Sequence, residues 1–458
     1  MSPLEVGRLL GYSRLLHIPR RLYGSMGKIR GNNYFAETTR DVWTIINEAA
    51  AKASAEAAAN GGSGKQSGRK VLNLGQGFFS YAPPDFAITG AQRALEDAMS
   101  NQYSPTRGRP ALVEALLKLY RPFYGELEAE HVQVTTGANE GIFACLAGLV
   151  NPGDEVIVFE PFFDQYIPNI ELLGGVVRYV PIRPPADLSE RVTDGTEWVI
   201  DYDVLRQTIN EKTKAVIINS PHNPIGKVFT REELLKLGNL CVEKGVYIIS
   251  DEVYEHLFFT DEFTRIATLS EEISQYTLTV GSAGKSFAAT GWRIGWVISR
   301  NKELLALASK AHVRICFSSP TPLQEACAVA IEHALQTTYF ADTRVAYQKK
   351  YERFQQPFDE LGLPYTRAEG SYFLLVDFSR LTIPADYQFP EELADKGRDF
   401  RVAYWLINEL GLVAIPCSSF FIPAHQHTSE NMLRFAVCKD DAYLEEAIER
   451  IRLLKHYL

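Results

Sequence analysis

Val280-Gly281-Ser282-Ala283-Gly284-Lys285-Ser286-Phe287-Ala288-Ala289-Thr290-Gly291-Trp292-Arg293-Ile294-Gly295 decides how this chain reads. An apolar strand, 276–280, runs into a tight glycine-rich turn that carries one lysine, with an arginine eight residues on. Gly, Ser and Ala around Lys285 leave room for a bulky group against it. A lysine boxed in this way loses solvation, so its ammonium form is disfavoured and its amine can act as a Schiff-base nucleophile. Gly284-Lys285-Ser286 resembles the end of a P-loop, but the glycine that such a loop needs five positions before Gly284 is Thr279, inside the strand. Gly75-Gln76-Gly77 fails as a dinucleotide fingerprint. Its third position is Ser80, and Pro83 and Pro84 follow where a helix should open onto a pyrophosphate.

Outward from the lysine turn, apolar runs of strand length recur at 132–136, 155–159, 215–219, 246–250 and 277–281. Helical stretches at 139–149 and 231–244 lie among them. Runs that are apolar throughout are buried on both faces, which predicts a mostly parallel sheet between helix layers. Beyond Leu323 the pattern changes to long amphipathic helices, with strands at 372–376 and 433–437, and reads as a smaller α+β domain. The expected organisation is a basic leader at 1–33, an arm and linker at 34–70, a large domain at 71–322 and a small domain at 323–458. Within the arm, 38–59 reads as helix and 60–68 as a polar Gly/Ser linker.

Chemistry in parallel sheets gathers beyond the carboxyl ends of the strands. Unusual residues stand there five times in succession: Gly137-Ala138-Asn139, Pro161-Phe162-Phe163, 219–224, 251–254, and Ser282 with Lys285. Five such coincidences indicate one shared pocket.

Composition narrows the classes. The chain has 458 residues, enough for a large and a small domain, and is 46% hydrophobic and 22% charged with no apolar run of membrane-spanning length. A net charge of -9 argues against a nucleic-acid partner. Six cysteines without a CxxC pair and nine histidines without HExxH indicate neither a metal site nor a disulfide framework, and fit a reducing compartment. The leader sets Arg8, Arg14, Arg20, Arg21, Lys28 and Arg30 against Glu5 alone, interleaved with leucines and isoleucine. That is how mitochondrial transit segments read, a solvated basic tail being the bland alternative. Met26 offers a start for a shorter cytoplasmic form.

Lys285, Asn223-Pro224-Ile225-Gly226, Asp251-Glu252-Val253-Tyr254 and Arg434 match, in order and approximate separation, the fold-type I, pyridoxal-phosphate-dependent aminotransferases of class I/II. The closer resemblance is to the kynurenine aminotransferases, also called glutamine transaminase K or cysteine-S-conjugate β-lyase. It rests on Asn73-Leu74-Gly75-Gln76-Gly77-Phe78, Glu160-Pro161-Phe162-Phe163-Asp164, the 281–285 turn and Gly411-Leu412-Val413-Ala414-Ile415-Pro416. It covers roughly Tyr34 to the C-terminus, apart from the 51–68 insertion.

The resemblance implies a role for each residue. Lys285 bonds the cofactor's aldehyde and then moves the substrate proton. Asp251, which alone would read as a helix cap, faces the pyridine nitrogen. Tyr254 and Asn223 donate to the phenolic oxygen, although the Asn-Pro-Ile-Gly string by itself is a generic turn. Phe163 stacks on the ring, while Phe162 is read as core. Gly137, Ala138, Asn139, Ser282 and Arg293 hold the phosphate, joined by Tyr103 from the other subunit of a homodimer. Arg434 clamps the substrate carboxylate; alone it would read as a surface charge. Trp43, Gly77, Asn223 and the partner-supplied Phe317 line the side-chain pocket.

Two positions depart from the animal enzymes. Asn139 replaces a tyrosine and Ser318 a histidine, so side-chain preference does not carry over. The implied reaction passes an amino group from L-kynurenine, or a related aromatic or sulfur amino acid, to a 2-oxo acid such as 2-oxoglutarate, with β-lyase chemistry as a side reaction. A general glutamine/methionine or aromatic aminotransferase is the alternative. A binding protein with a relic cofactor site is disfavoured because no DNA-binding module is visible and Lys285, Asp251, Tyr254 and Arg434 are intact.

Overall fold

Eight strands form the sheet that positions the lysine turn. In a computed structural model that describes residues 34–35, 41–59 and 70–458, they run in the order β2-β10-β9-β8-β7-β3-β4-β6. Their ranges are β2 Val132–Thr135, β3 Glu155–Glu160, β4 Val176–Arg183, β6 Val199–Ile200, β7 Thr213–Asn219, β8 Tyr247–Asp251, β9 Thr277–Ser282 and β10 Gly295–Ile298. The β4/β3/β7/β8/β9 ladder is parallel, as the continuous apolar runs predict. Strand β10, absent from the sequence reading, is antiparallel to both β9 and β2. Its chain returns directly from the lysine turn, without the long crossover that a parallel neighbour needs.

A second sheet has the order β14-β15-β12-β11-β5, with β5 Thr193–Asp194, β11 Tyr365–Arg367, β12 Phe373–Asp377, β14 Ile415–Pro416 and β15 Met432–Ala436. Strand β1, Leu72–Asn73, pairs in parallel with β13, Leu412–Val413. Pairings therefore join segments on both sides of residue 322. The Thr321–Gln336 helix likewise buries Cys327, Ala330 and Ile331 in one cluster with Leu112 and Leu116 of the Pro110–Tyr124 helix. Val42–Leu458 forms one compact unit, separate from the segment ending at Asp41. The leader at 1–33 and the linker at 60–68 lie outside the described residues. Among the described residues, no helix is long and apolar enough to cross a membrane.

Candidate active site

The lysine turn is shaped by close backbone approaches. A Cβ on Gly281 would stand 2.1 Å from Trp296 Nε1, and one on Gly284 would stand 3.0 Å from Thr290 Cα. Strand β9 therefore ends in a four-residue helix, Ala283–Ser286, folded tightly against 289–290. Lys285 points from it into a cavity of about 320 Å³, within the usual range for small-molecule sites. Its amine donates to Tyr372 Oη at 2.7 Å. Burial of the amine pulls its pKa from 10.5 down to about 8, against the opposing pull of Cys438.

Asp251 closes β8 on the same cavity and is 5% exposed. Its Oδ2 accepts from Tyr166 Oη at 2.5 Å and its Oδ1 from the Val253 amide at 3.3 Å. Burial raises this carboxyl to about 6, while the Tyr166 and Val253 bonds and Lys285 pull the other way. Tyr254, also buried, packs edge-on to Tyr372 with centroids 5.2 Å apart; burial and then Asp251 push its phenol well up.

Arg434 is 1% exposed in the middle of β15, so its charge is not at the surface. Nη1 donates to Asn223 Oδ1 at 2.8 Å and Nη2 to Gly75 O at 2.9 Å, both neutral acceptors; Nε has no partner. The guanidinium lies 4.1 Å from the Phe373 ring centroid and 5.4 Å from that of Trp43. A buried cation satisfied only by neutral acceptors favours an incoming carboxylate. Asn223 is held by its own amide, which donates to Asn219 Oδ1 at 2.7 Å.

On the other side of the lysine, Gly137 (φ 79°) caps the Ala138–Leu149 helix. A Cβ there would meet Arg293 Nη2 at 2.5 Å, and one on Gly295 would meet the Ala138 amide nitrogen at 2.7 Å. Arg293 itself takes a left-handed φ of 57°, a strained conformation for a bulky residue, which places its side chain on the cavity beside Ser282. The helix N-terminus, the hydroxyl and the guanidinium together form an anion site. Ala138, Asn139, Phe163, Gly77 and Trp43 also line the cavity, and Trp43 Nε1 donates to Asp164 Oδ2 at 2.5 Å. Phe162 is buried against Tyr179, as a core residue. A buried carboxylate, a buried amine of lowered pKa and an anion cradle on one cavity fit pyridoxal phosphate.

Two expected residues are not brought to this cavity. Tyr103 is 85% and Phe317 49% exposed, and their rings meet each other with centroids 5.5 Å apart. Sequence reasoning missed Tyr166 and Tyr372, and placed Asn219 at the shared pocket without a role. Tyr166 lies three residues beyond Phe163, so it was within reach. Tyr372 had no local signal, because it comes from the second sheet region to meet Lys285 across 87 residues of chain.

The sequence profile of aminotransferase class I and II matches residues 69–451. The chain is 65% identical over 436 residues to the probable kynurenine--oxoglutarate transaminase BNA3 of Saccharomyces cerevisiae, covering 95% of this chain and 97% of that protein. With human kynurenine--oxoglutarate transaminase 1 the identity is 36% over 400 residues, covering 84% and 92%. The crystal structure of Bna3p from S. cerevisiae superposes with a TM-score of 0.90 at 65% identity, over 94% of this chain and 100% of that one. Thermus thermophilus aspartate aminotransferase with maleate gives a TM-score of 0.76 at 27% identity, over 93% and 100%. The matched span takes in the lysine turn, the Asp251 strand end and Arg434, on a fold shared with solved aminotransferases. The chain therefore belongs to the class I and II aminotransferases and is a pyridoxal-phosphate-dependent enzyme.

Proposed function

We propose that the enzyme transfers the amino group of L-kynurenine, or of a related aromatic or sulfur amino acid, to a 2-oxo acid such as 2-oxoglutarate. Kynurenic acid and glutamate would be the products. The observation that carries this reading is the buried Arg434 guanidinium, flanked by Phe373 and Trp43 on the cavity that holds Lys285. A carboxylate on Arg434 places an α-amino acid with its side chain among aromatic rings. The 65% identity to the yeast transaminase supports the same donor.

Bound pyridoxal phosphate supplies an aldehyde for amine exchange and a ring that withdraws electrons from the substrate Cα. Each residue then has a task. Asp251 would hold positive charge on the ring nitrogen, and the Tyr166 hydroxyl keeps that carboxylate oriented. Asn223 and Tyr254 would donate to the ring oxygen. Gly137, Ala138, Ser282 and Arg293 would hold the phosphate. Arg434 fixes the Cα–H bond by gripping the carboxylate. Lys285 Nζ, its pKa lowered by burial, would take that proton and return it.

A homodimer in which Tyr103 and Phe317 complete the partner's site accounts for two aromatic side chains left at the surface. A mitochondrial location, with a cytoplasmic form from Met26, follows from the basic leader. Cysteine-conjugate β-elimination is a second reaction that the same site supports. The aromatic lining also suits a general aromatic donor. A donor panel with purified enzyme tests the assignment: kynurenine should lead in kcat/KM, and Lys285→Ala should abolish turnover. Higher constants for glutamine, methionine or phenylalanine would replace kynurenine as donor.

A further inference from the structure

Behind the phosphate-side turn, two helix ends converge on a group of ligating side chains that the transamination does not use. Glu140 lies in the first turn of the Ala138–Leu149 helix. His312 lies in the last turn of the Lys302–Ile315 helix, and Cys316 caps that helix. His312 is fully buried, and the other two are half-buried. His312 Nδ1 stands 3.0 and 3.1 Å from the two Glu140 carboxylate oxygens and 3.4 Å from Cys316 Sγ. Thr136 Oγ1 donates to that sulfur at 3.3 Å and also lies 3.1 Å from Ser319 Oγ. The ligand atoms of the three residues all lie within 4.8 Å of one another, a grouping found once among the described residues.

The placement distinguishes a metal site from a nucleophilic triad. A Cys-His-Glu triad needs the thiol and the carboxylate on opposite ring nitrogens, so that one accepts and the other donates. Here the carboxylate takes Nδ1, while the sulfur stands 3.4 Å from Nδ1 and 3.9 Å from Nε2, in line with neither lone pair. Thiol, imidazole and carboxylate gathered within 4.8 Å of one another suit a cation instead. Tetrahedral Zn²⁺ with bonds near 2.3 Å to sulfur and 2.0–2.1 Å to nitrogen and oxygen sets S···N edges of about 3.6 Å and N···O edges of about 3.4 Å. The Nδ1···Oε1 distance of 3.1 Å needs to open by a few tenths of an ångström, and the thiol, which here donates to His312 O at 3.6 Å, has to turn toward the ion.

We propose that Glu140, His312 and Cys316 form a binding site for a zinc-class divalent cation, with the Thr136 hydroxyl or water in the fourth position. Thiolate, imidazole and carboxylate together are the ligand set of borderline-soft ions, not of Mg²⁺ or Ca²⁺. Binding forms a metal–sulfur bond and releases the thiol proton to solvent. Glu140 Oε2 accepts the Thr136 amide at 2.8 Å, so coordination through Oε1 preserves the turn that leads to Gly137. The bound ion ties this turn to the 316–319 segment, where Phe317 takes a left-handed φ of 66°. No CxxC or HExxH spacing announced the site. His312 and Cys316 are four apart on one helix, and Glu140 arrives from 172 residues away.

Full-length holoenzyme, stripped of metal with a chelator, is titrated with Zn²⁺ against a chromophoric competitor, and separately with Co²⁺. One ion per chain is expected, and Co²⁺ should give the visible bands of four-coordinate cobalt with sulfur ligation. Cys316→Ser and Glu140→Gln, each folded by circular dichroism, should weaken Zn²⁺ binding at least about tenfold. Cys316→Ser should also remove the sulfur-to-cobalt band. Lack of stoichiometric uptake at micromolar Zn²⁺, or equal affinity in wild type and both variants, overturns the proposal.

Discussion

Replacing Lys285 with methionine should stabilise the cofactor-free enzyme, and the gain should depend on pH in a stated way. Burial lowers the amine's pKa from 10.5 to about 8, so at neutral pH the folded chain carries an ammonium that it solvates worse than water does. That difference amounts to about 3 kcal/mol. Methionine, of similar length and without charge, removes the cost but also the bond to Tyr372 Oη, worth about 1 kcal/mol net. Tyr372 keeps its own bond to Gly77 O. The expected gain is about 2 kcal/mol at pH 7. Between pH 8 and 10.5 the unfolded wild type binds more protons at this site than the folded one, so wild-type stability rises with pH there. The advantage of Lys285→Met should be full below pH 8, vanish at about pH 9.5 and give way to a deficit of about 1 kcal/mol near pH 10.5, where only the lost bond remains. Urea unfolding of both apo-enzymes at equal protein concentration, from pH 6.5 to 10.5, measures it. A methionine variant that is less stable at pH 7, or a gain that does not shrink as pH rises, refutes the account of the lysine.

Other outcomes follow from the same geometry. Arg434→Lys keeps the charge but loses the planar fork between Asn223 and the substrate, so kcat/KM for amino acids should fall by about 10- to 100-fold, mainly through KM. Gly137→Ala drives a Cβ into Arg293 at a left-handed φ; it should cost about 1 kcal/mol of stability and make the enzyme lose pyridoxal phosphate on dialysis faster than wild type. Tyr166→Phe removes a bond that lowers the Asp251 pKa, so the carboxyl should titrate above its present value of about 6. The acid limb of the kcat/KM profile should shift upward with it, and an unmoved limb would contradict the assignment.

The parallel sheet was legible because its strands are apolar throughout and end in residues too unusual to be accidental. Lys285, Asp251, Asn223 and Ser282 announce themselves at such ends. Strand β10 was not legible, since its direction depends on the fold of the 283–294 turn and not on its own residues. Tyr103 and Phe317 match their motifs yet face solvent in the single chain, and local pattern carries no information about what covers them.

The chain's own order of residues determined the chemistry: a lysine freed of solvent by small neighbours, an acid and a tyrosine at the next strand end, and an arginine in a late strand. Each of these depends on a few consecutive residues and the period of one element. Only the tertiary structure decided that Arg434 is buried against neutral acceptors, that Tyr372 meets the lysine amine, and that Glu140 joins His312 and Cys316. Those are contacts between segments 87 to 211 residues apart, and their strength comes from burial, which no single segment encodes.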